Sequence, residues 1–250
     1  MATEPGAVEG RGDAEEATRL LRNSRAARRL HALVYLTSTV LFVSGFSLLR
    51  EGRPGLEAIF GGHVAAGRSH RWIGMGLIAL GLLVLLLRMR AAGRFVRESV
   101  QFRREDLRWF VSYPAFVLRP SRYAPARHRG HFDPGQRLVN CVIVVAFVVL
   151  SFTGTLMSFP ERFRPAVFAW SLRLHELATW MLVVAVLGHV LVASGILRAY
   201  RGVWRAMHGS GRVDALLARR LWPQWAEEAG MRAGEGGQSS SERRTRSKAS

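Results

Sequence analysis

Four histidines in apolar stretches are the residues of this chain that could most clearly do chemistry. His175 and His189 lie fourteen residues apart in one apolar stretch. In a helix that spacing gives about 21 Å of rise and nearly the same face. His31 and His70 open two other apolar stretches. Imidazole is a common iron ligand, and an ionisable residue within a membrane span is a candidate functional residue. Four such histidines favour two bis-histidine haems.

The elements that must position these histidines are four apolar segments. A helix needs about 20 apolar residues to cross a hydrocarbon core of roughly 30 Å. The second segment is the shortest because Arg88 and Arg90 close it, but arginines at a helix end extend to the membrane surface. The sequence therefore predicts an all-α, integral membrane four-helix bundle. The predicted spans are about 31–49, 70–87, 138–159 and 174–197.

The charge distribution predicts the topology. The chain carries a net charge of +18, and 29 of its 36 Lys and Arg residues lie in 1–30, 88–137 and 198–250. The positive-inside rule then places both termini and the 88–137 loop on the cytoplasmic side of a bacterial inner membrane. Nucleic acid is disfavoured as a partner, because no binding module accompanies the charge. Membrane lipids and the acidic faces of partner subunits account for it more simply.

The two ends of the chain differ in composition from the centre. Residues 1–24 and 229–250 are rich in charged and small residues, which predicts disordered cytoplasmic tails around one domain over 25–228. Cys141 is the single cysteine and lies in the third predicted span. That excludes an internal disulfide, a thiolate iron–sulfur site and a covalent CxxCH haem. Any haem must be bound non-covalently by histidine.

The long cytoplasmic loop is expected to contain a helix of its own. Residues 94–110 mix aromatic side chains with arginines, a pattern typical of a helix that lies at the membrane interface. The segment from Ser112 to Pro125 contains three prolines and is expected to end that helix.

Depth in the membrane predicts how the histidines pair. With a cytoplasmic N-terminus, His31 lies at the inner end of the first span and His70 at the outer end of the second. The fourth span enters from outside, so His175 is outer and His189 is inner. Matching depths gives His31 with His189 for one haem, and His70 with His175 for the other. The remaining histidines are expected to be solvated or interfacial: His63, His128, His131 and His208.

Three glycines lie near the depth of the predicted outer haem. Gly45 follows His31 by fourteen residues, Gly74 follows His70 by one turn, and Gly154 lies in the motif FTG. A flat porphyrin between helices needs close backbone approach, which makes these glycines candidate cofactor-binding residues. The alternative is ordinary packing, because small residues are common where membrane helices meet.

A second candidate site precedes the third span, in the segment HFDPGQRLVN. Asp133, Gln136 and backbone N–H groups near Gly135 could hydrogen-bond a quinone at the depth of His189. The alternative is an Asp-Pro-Gly turn that caps a helix.

These motifs together resemble the cytochrome b, or gamma, subunit of membrane-bound respiratory formate dehydrogenase. The resemblance covers about 25–228, and its motifs are RRLHALVYLTSTVLFVSG, SHRWIGMGL, FDPGQRLV, FTG and LRLHELATWMLVVAVLGH. It implies two b haems that receive electrons from an iron–sulfur (beta) subunit and deliver them to membrane quinone. A molybdopterin or tungstopterin (alpha) subunit of the complex would oxidise formate.

The resemblance also implies roles for individual residues. His70 and His175 match the outer haem ligands, and His31 and His189 match the inner ones. The FDPGQ segment matches the quinone-site segment of the family, which implicates Asp133, Gly135 and Gln136, beside His189, in binding quinone. Asp133 stands where the family often has asparagine.

Two other functions remain open. The same haem scaffold could take electrons from another donor, such as a hydrogenase, a thiosulfate reductase or a small cytochrome. A small proton-linked transporter could use the histidines as relays, although transporters often show internal repeats that this sequence lacks.

Overall fold

The computed structural model describes residues 19–49 and 54–231, most of which are helical. Within these residues, four helices are long and apolar enough to cross a membrane. They contain 23 to 29 residues, or about 35–44 Å of rise, more than a hydrocarbon core requires. The predicted all-α membrane bundle is confirmed. The helices include α1 (Arg25–Ser47), α2 (Pro54–Ile59), α3 (His63–Leu87), α4 (Met89–Val100), α5 (Asp106–Leu118), α6 (Pro134–Met157), α7 (Pro165–Ala193), α8 (Arg205–His208) and α9 (Ala215–Leu221), and α1, α3, α6 and α7 are the spans. Residues 223–231 are helical as well.

The chain divides into two compact units instead of the single domain expected over 25–228. The span unit comprises 29–100 and 138–189, and the loop unit comprises the described parts of 1–28, 101–137 and 190–250. The loop unit forms because three segments that are distant in sequence pack on one another. Each unit is described separately below.

The helix bounds in the span unit differ from the predicted ones at α3. This helix begins at His63, seven residues before the predicted limit. Gly61 and Gly62 precede it with φ of +85° and +106°, a left-handed conformation that glycine adopts without strain. The turn therefore lies closer to α2 than predicted, and part of the predicted outer loop is helical.

The outer surfaces of the spans are apolar, and small residues lie at some of the contacts between them. Leu87 and Val184 expose 72% and 69% of their surface, whereas Ala66 is fully buried. A Cβ atom on Gly81 of α3 would lie 2.8 Å from the ring of Phe147 of α6, so α3 and α6 approach closely there. This distribution is the one expected of a bundle surrounded by lipid, where small residues bring backbones together.

In the loop unit, a short antiparallel sheet joins the two ends of the described chain. Strand β1 (Arg19–Leu21) pairs with β2 (Arg212–Asp214), and Leu20 is opposite Val213. Val213 is 2% exposed, and Leu20 packs against the same core. The prediction of a disordered tail through residue 24 is thus wrong for 19–21, because this strand acquires a partner nearly 200 residues away. Residues 1–18 and 232–250 of the predicted tails lie outside the described residues.

Aromatic side chains form the core of the loop unit. Phe116 of α5 packs against Tyr200 with ring centroids 5.9 Å apart. Trp222 and Trp225 pack edge to face at 6.2 Å, and the guanidinium of Arg22 lies within 4.4 Å of both indole rings. Cation–π contacts of this kind hold the chain before α1 against the C-terminal segment.

The 88–137 loop contains two helices where the sequence predicted one over 94–110. Helix α4 ends at Val100 and α5 begins at Asp106. The Asp106 carboxylate accepts a hydrogen bond from the Arg103 N–H at 2.8 Å, which favours a turn over a continuous helix. Helix α5 also continues through Pro114, so the predicted end at Ser112 is wrong.

A buried ion pair links α5 to the start of α6. The Arg137 guanidinium lies 2.9 Å from the Asp106 carboxylate, and these side chains are only 3% and 4% exposed. Arg137 also donates to the carbonyl oxygens of Gln101, Phe132 and Arg129. A buried guanidinium with this many acceptors is well compensated, and removal of its counter-charge is costly.

We expect Asp106→Asn to destabilise the protein by about 3–5 kcal/mol, because Arg137 stays buried without a counter-charge. Thermal unfolding in detergent micelles measures the effect. Glu105→Gln is the matched control, since Glu105 is exposed, and it should change stability by less than about 0.5 kcal/mol. Equal unfolding temperatures for the two variants would show that the ion pair is dispensable.

Candidate functional site

Helices α1 and α7 bring His31 and His189 together within the span unit. The two imidazole ring centroids are 6.3 Å apart, with an angle of 51° between the ring planes. The ring of Tyr35, one turn further along α1, lies 5.9 Å from that of His31. Depth matching predicted this pairing, and the structure places the two side chains side by side.

Helices α3 and α7 bring His70 and His175 together in the same unit. Their ring centroids are 6.2 Å apart, and the ring planes are 70° from each other. His175 and His189 lie on one helix, and fourteen residues of helix correspond to about 21 Å. The span unit therefore holds two histidine pairs at two separate positions along α7.

The spacing of each pair fits one metal ion between two imidazoles. With metal–nitrogen bonds of about 2.0 Å, two ligands on opposite sides of an ion have ring centroids roughly 6.3 Å apart. The observed centroid distances are 6.3 and 6.2 Å. Among residues 19–49 and 54–231, no three His, Cys, Asp or Glu side chains are grouped to hold a bare metal ion. Two imidazoles alone suit an iron whose other four ligands belong to a porphyrin.

Hydroxyl groups lie within hydrogen-bond distance of Nδ1 in both histidines of the second pair, His70 and His175. Ser44 Oγ lies 2.9 Å from His70 Nδ1, and Thr153 Oγ1 lies 2.9 Å from His175 Nδ1. Both hydroxyl residues are at most 1% exposed. With Nδ1 bonded, Nε2 is the nitrogen available to a metal. Ser44 and Thr153 are not among the residues predicted from the sequence, although each immediately precedes a candidate glycine.

Two of the three candidate glycines face imidazole rings. A Cβ atom on Gly45 would lie 3.2 Å from His70 Cε1, and one on Gly154 would lie 3.4 Å from His175 Cε1. Gly74 differs, because its Cβ would meet only a Leu41 methyl group at 3.9 Å. The structure thus associates Gly45 and Gly154 with the second histidine pair and gives Gly74 an ordinary packing contact.

Two of the other histidines, His63 and His128, contact residues outside both pairs. His63 is 61% exposed and its Nδ1 lies 2.9 Å from a Glu57 carboxylate oxygen. His128 is only 4% exposed, and its Nε2 donates to the Leu221 carbonyl at 2.8 Å. The expectation that His128 is solvated is wrong, because the C-terminal segment covers it.

The predicted quinone segment lies at the start of α6 in the loop unit. The Asp133 carboxylate accepts the Gln136 N–H at 2.8 Å, which is the hydrogen bond of a helix cap. A Cβ atom on Gly135 would lie 2.8 Å from the Trp109 ring, so only glycine fits there. Asp133 therefore acts as a helix cap, as the alternative interpretation of this segment predicts. The bond uses the backbone N–H of Gln136, so its side-chain amide takes no part in the cap. His189, the fourth predicted residue, belongs to the span unit.

Two tyrosines lie near Asp133 in the loop unit. The ring centroids of Tyr113 and Tyr200 are 6.4 Å apart. Burial raises the pKa of Tyr113, the side chain of Tyr200 lowers it in part, and the charge of Asp133 raises it further. Burial also raises the pKa of Tyr200, and Asp133 adds to that effect. Both phenols therefore stay neutral, as hydrogen-bond donors, at physiological pH.

Similarity to characterised proteins agrees with this geometry. Two curated relatives cover most of the chain. The "Formate dehydrogenase, cytochrome b556 subunit" of Haemophilus influenzae is 23% identical over 214 residues, which is 84% of each chain. The "Formate dehydrogenase, nitrate-inducible, cytochrome b556(Fdn) subunit" of Escherichia coli (strain K12) is 22% identical over 212 residues, which is 84% of this chain and 91% of that protein.

The family model described as prokaryotic cytochrome b561 matches residues 22–210. This range includes all four histidines of the two pairs. A cytochrome b holds b-type haem, whose iron accepts and donates single electrons. The chain therefore belongs to the prokaryotic cytochrome b561 family of electron-transfer membrane proteins.

Proposed function

We propose that this chain is the membrane-anchoring dihaem cytochrome b subunit of a formate dehydrogenase. It would pass electrons from an iron–sulfur subunit, through two b haems, to membrane quinone. The observation that carries the proposal is the pair of bis-imidazole arrangements in the span unit, with centroid distances of 6.3 and 6.2 Å. The relatives named as formate dehydrogenase cytochrome b556 subunits support the choice of complex.

Each histidine pair would hold one haem. His31 and His189 would bind the first, and His70 and His175 would bind the second. When bound, the two haems supply one-electron carriers at two positions along the bundle. The helices supply the rest: they orient the imidazoles, surround them with apolar side chains and keep water from the iron ligands.

The topology gives the proposed direction of transfer. The positive-inside rule places both termini and the 88–137 loop in the cytoplasm of a bacterial inner membrane. The pair His70 with His175 would then lie near the outer surface, and the pair His31 with His189 near the inner one. Electrons would enter from an iron–sulfur (beta) subunit outside, in complex with a molybdopterin or tungstopterin (alpha) subunit, and leave toward the cytoplasm.

The start of α6 is the proposed contact for quinone in the loop unit. Gln136 is half-buried, and its side-chain amide can donate to a quinone carbonyl. Gly135 lets the backbone lie against Trp109, and Asp133 holds the turn by its cap. The neutral phenols of Tyr113 and Tyr200 add two hydroxyl groups near the same turn.

Family membership bears on the alternatives. A cytochrome b does not need the histidines as proton relays, so the transporter function is disfavoured. A different electron donor, such as a hydrogenase or a thiosulfate reductase, would use the same span unit. Genes beside this one that encode a molybdopterin subunit and a ferredoxin-like subunit would favour formate dehydrogenase, and a nickel–iron hydrogenase pair would oppose it.

We expect two b haems per chain in the purified protein. A dithionite-reduced minus oxidised spectrum identifies the haem type, and pyridine haemochrome quantitation gives the number. His175→Ala and His31→Ala should each lose one haem, because each removes a ligand from a different pair. His63→Ala is the control in the same bundle, since His63 is exposed and bonded to Glu57, and it should keep both. A folded preparation without haem would contradict the proposal.

We expect Gly45→Ala to lower the haem content at the His70 with His175 pair, because the new Cβ would lie 3.2 Å from His70 Cε1 and push the ring aside. Haem quantitation after size-exclusion chromatography measures the loss. Gly76→Ala is the matched control, since a Cβ atom there meets nothing within 4 Å. Full haem content in both variants would remove Gly45 from the site.

We expect Gln136→Leu to slow oxidation of the reduced protein by a quinone analogue about tenfold, because one hydrogen bond to the ligand is lost. Stopped-flow absorbance follows the reoxidation. The backbone N–H of residue 136 still bonds to Asp133, so the helix cap remains. Gln101→Leu, a change of an exposed side chain, is the control. Identical rates for the two variants would exclude Gln136 from the quinone contact.

A further inference from the structure

The same two-residue motif occurs beside both histidines of one pair. Ser44 and Gly45 on α1 contact the imidazole of His70. Thr153 and Gly154 on α6 contact the imidazole of His175. In each case the hydroxyl meets Nδ1 and the glycine faces Cε1 of the same ring. Two different helices thus present one arrangement, the hydroxyl–glycine motif, to two histidines that face each other.

Hydrogen bonds within α1 and α6 favour a proton on Nδ1 of each imidazole. The Ser44 hydroxyl donates to the Val40 carbonyl at 2.8 Å, and the Thr153 hydroxyl donates to the Val149 carbonyl at 2.7 Å. A hydroxyl has one proton, so while that proton points to the carbonyl the oxygen accepts from the imidazole. In that arrangement His70 Nδ1 donates to Ser44 Oγ, and His175 Nδ1 donates to Thr153 Oγ1.

A proton on Nδ1 leaves the lone pair on Nε2. That neutral tautomer is the form in which Nε2 binds a metal. If the hydroxyl donated to Nδ1 instead, Nε2 would carry the proton and could not be a ligand. The back-bonds to the helix carbonyls thus select the ligand form of both imidazoles.

The glycine of each motif sets the position of the ring. A Cβ atom would lie 3.2 Å from His70 Cε1 at Gly45, and 3.4 Å from His175 Cε1 at Gly154. The first distance is shorter than an ordinary van der Waals contact, so a side chain at Gly45 would displace the ring by a few tenths of an ångström. Each ring is held by a hydroxyl at Nδ1 and by bare backbone beside Cε1.

We infer that Ser44 and Thr153 are positioning residues, which fix the tautomer and the rotation of His70 and His175 so that both Nε2 atoms are presented to one iron. This rests on the proposed function, because it presumes haem between these histidines. A hydrogen bond from Nδ1–H also makes the imidazole a stronger electron donor, which favours ferric iron. The two hydroxyls would therefore lower the reduction potential of this haem.

The test removes each hydroxyl by near-isosteric substitution. Ser44→Ala and Thr153→Val should weaken retention of one haem by about 10–100-fold. In protein that retains it, the midpoint potential should rise and the low-spin ferric EPR signal should change. The haem at His31 and His189 should keep its potential and signal, which also shows that the bundle is folded. Ser44→Thr and Thr153→Ser should restore the unsubstituted behaviour.

Matched controls exist on the same helices. Ser47 donates to the Ser44 carbonyl at 2.7 Å, and Thr155 donates to the Ser151 carbonyl at 2.7 Å. Ser47→Ala and Thr155→Val remove a hydroxyl with a comparable bond to its own helix. They should leave both haems, both potentials and both EPR signals unchanged.

The outcomes separate this inference from the function on which it rests. No haem in the unsubstituted protein would refute the proposed function. Two haems there, with Ser44→Ala and Thr153→Val indistinguishable from the controls, would refute the positioning role alone. Equal changes at both haems, or no restoration by Ser44→Thr and Thr153→Ser, would also overturn it.

Discussion

An imidazole within a membrane has no water to satisfy its two ring nitrogens, and this constraint governs the span unit. Each nitrogen must meet a metal, a hydrogen-bond partner or another side chain, because an unsatisfied polar group in hydrocarbon costs several kcal/mol. The unit meets the demand by drawing histidines from different helices together, with ring centroids 6.3 and 6.2 Å apart. One helix, α7, supplies a histidine to both pairs. Histidines on α1 and α3 are each packed against a histidine of α7, and small residues between membrane helices make a close approach possible.

Features that depend on local spacing could be predicted from the sequence. Four apolar segments predicted four spans, because length and hydropathy decide whether a helix can cross a bilayer. The interval between His175 and His189 predicted two depths, because the rise of a helix is constant. Depth then gave the partners of both histidines. The azimuth of a helix is not encoded in spacing, so the hydroxyls of Ser44 and Thr153 could not be found in this way.

Features that depend on distant partners could not be predicted. Residues 19–21 look like part of a charged tail until they pair with 212–214. The ion pair between Arg137 and Asp106 spans 31 positions, and neither residue has a local signal of burial. The same holds for the aromatic core, whose members come from three segments of the loop unit. In each case the contact becomes favourable only after the chain has closed a long loop. The residue pattern within one segment therefore does not indicate the contact.

The choice of hydroxyls beside His70 and His175 has a physical reason. Metal-bound histidines in proteins commonly donate Nδ1–H to a carboxylate, a backbone carbonyl or water. Within a membrane span a carboxylate would be a buried charge, with a cost that the pair itself must offset. Serine and threonine avoid this, because their hydroxyl proton is satisfied by the preceding turn of their own helix while the oxygen still accepts a hydrogen bond. Such a residue is stable in the span before any cofactor binds. The two imidazoles can therefore be held in one tautomer by neutral groups, without an ionised side chain beside either ring.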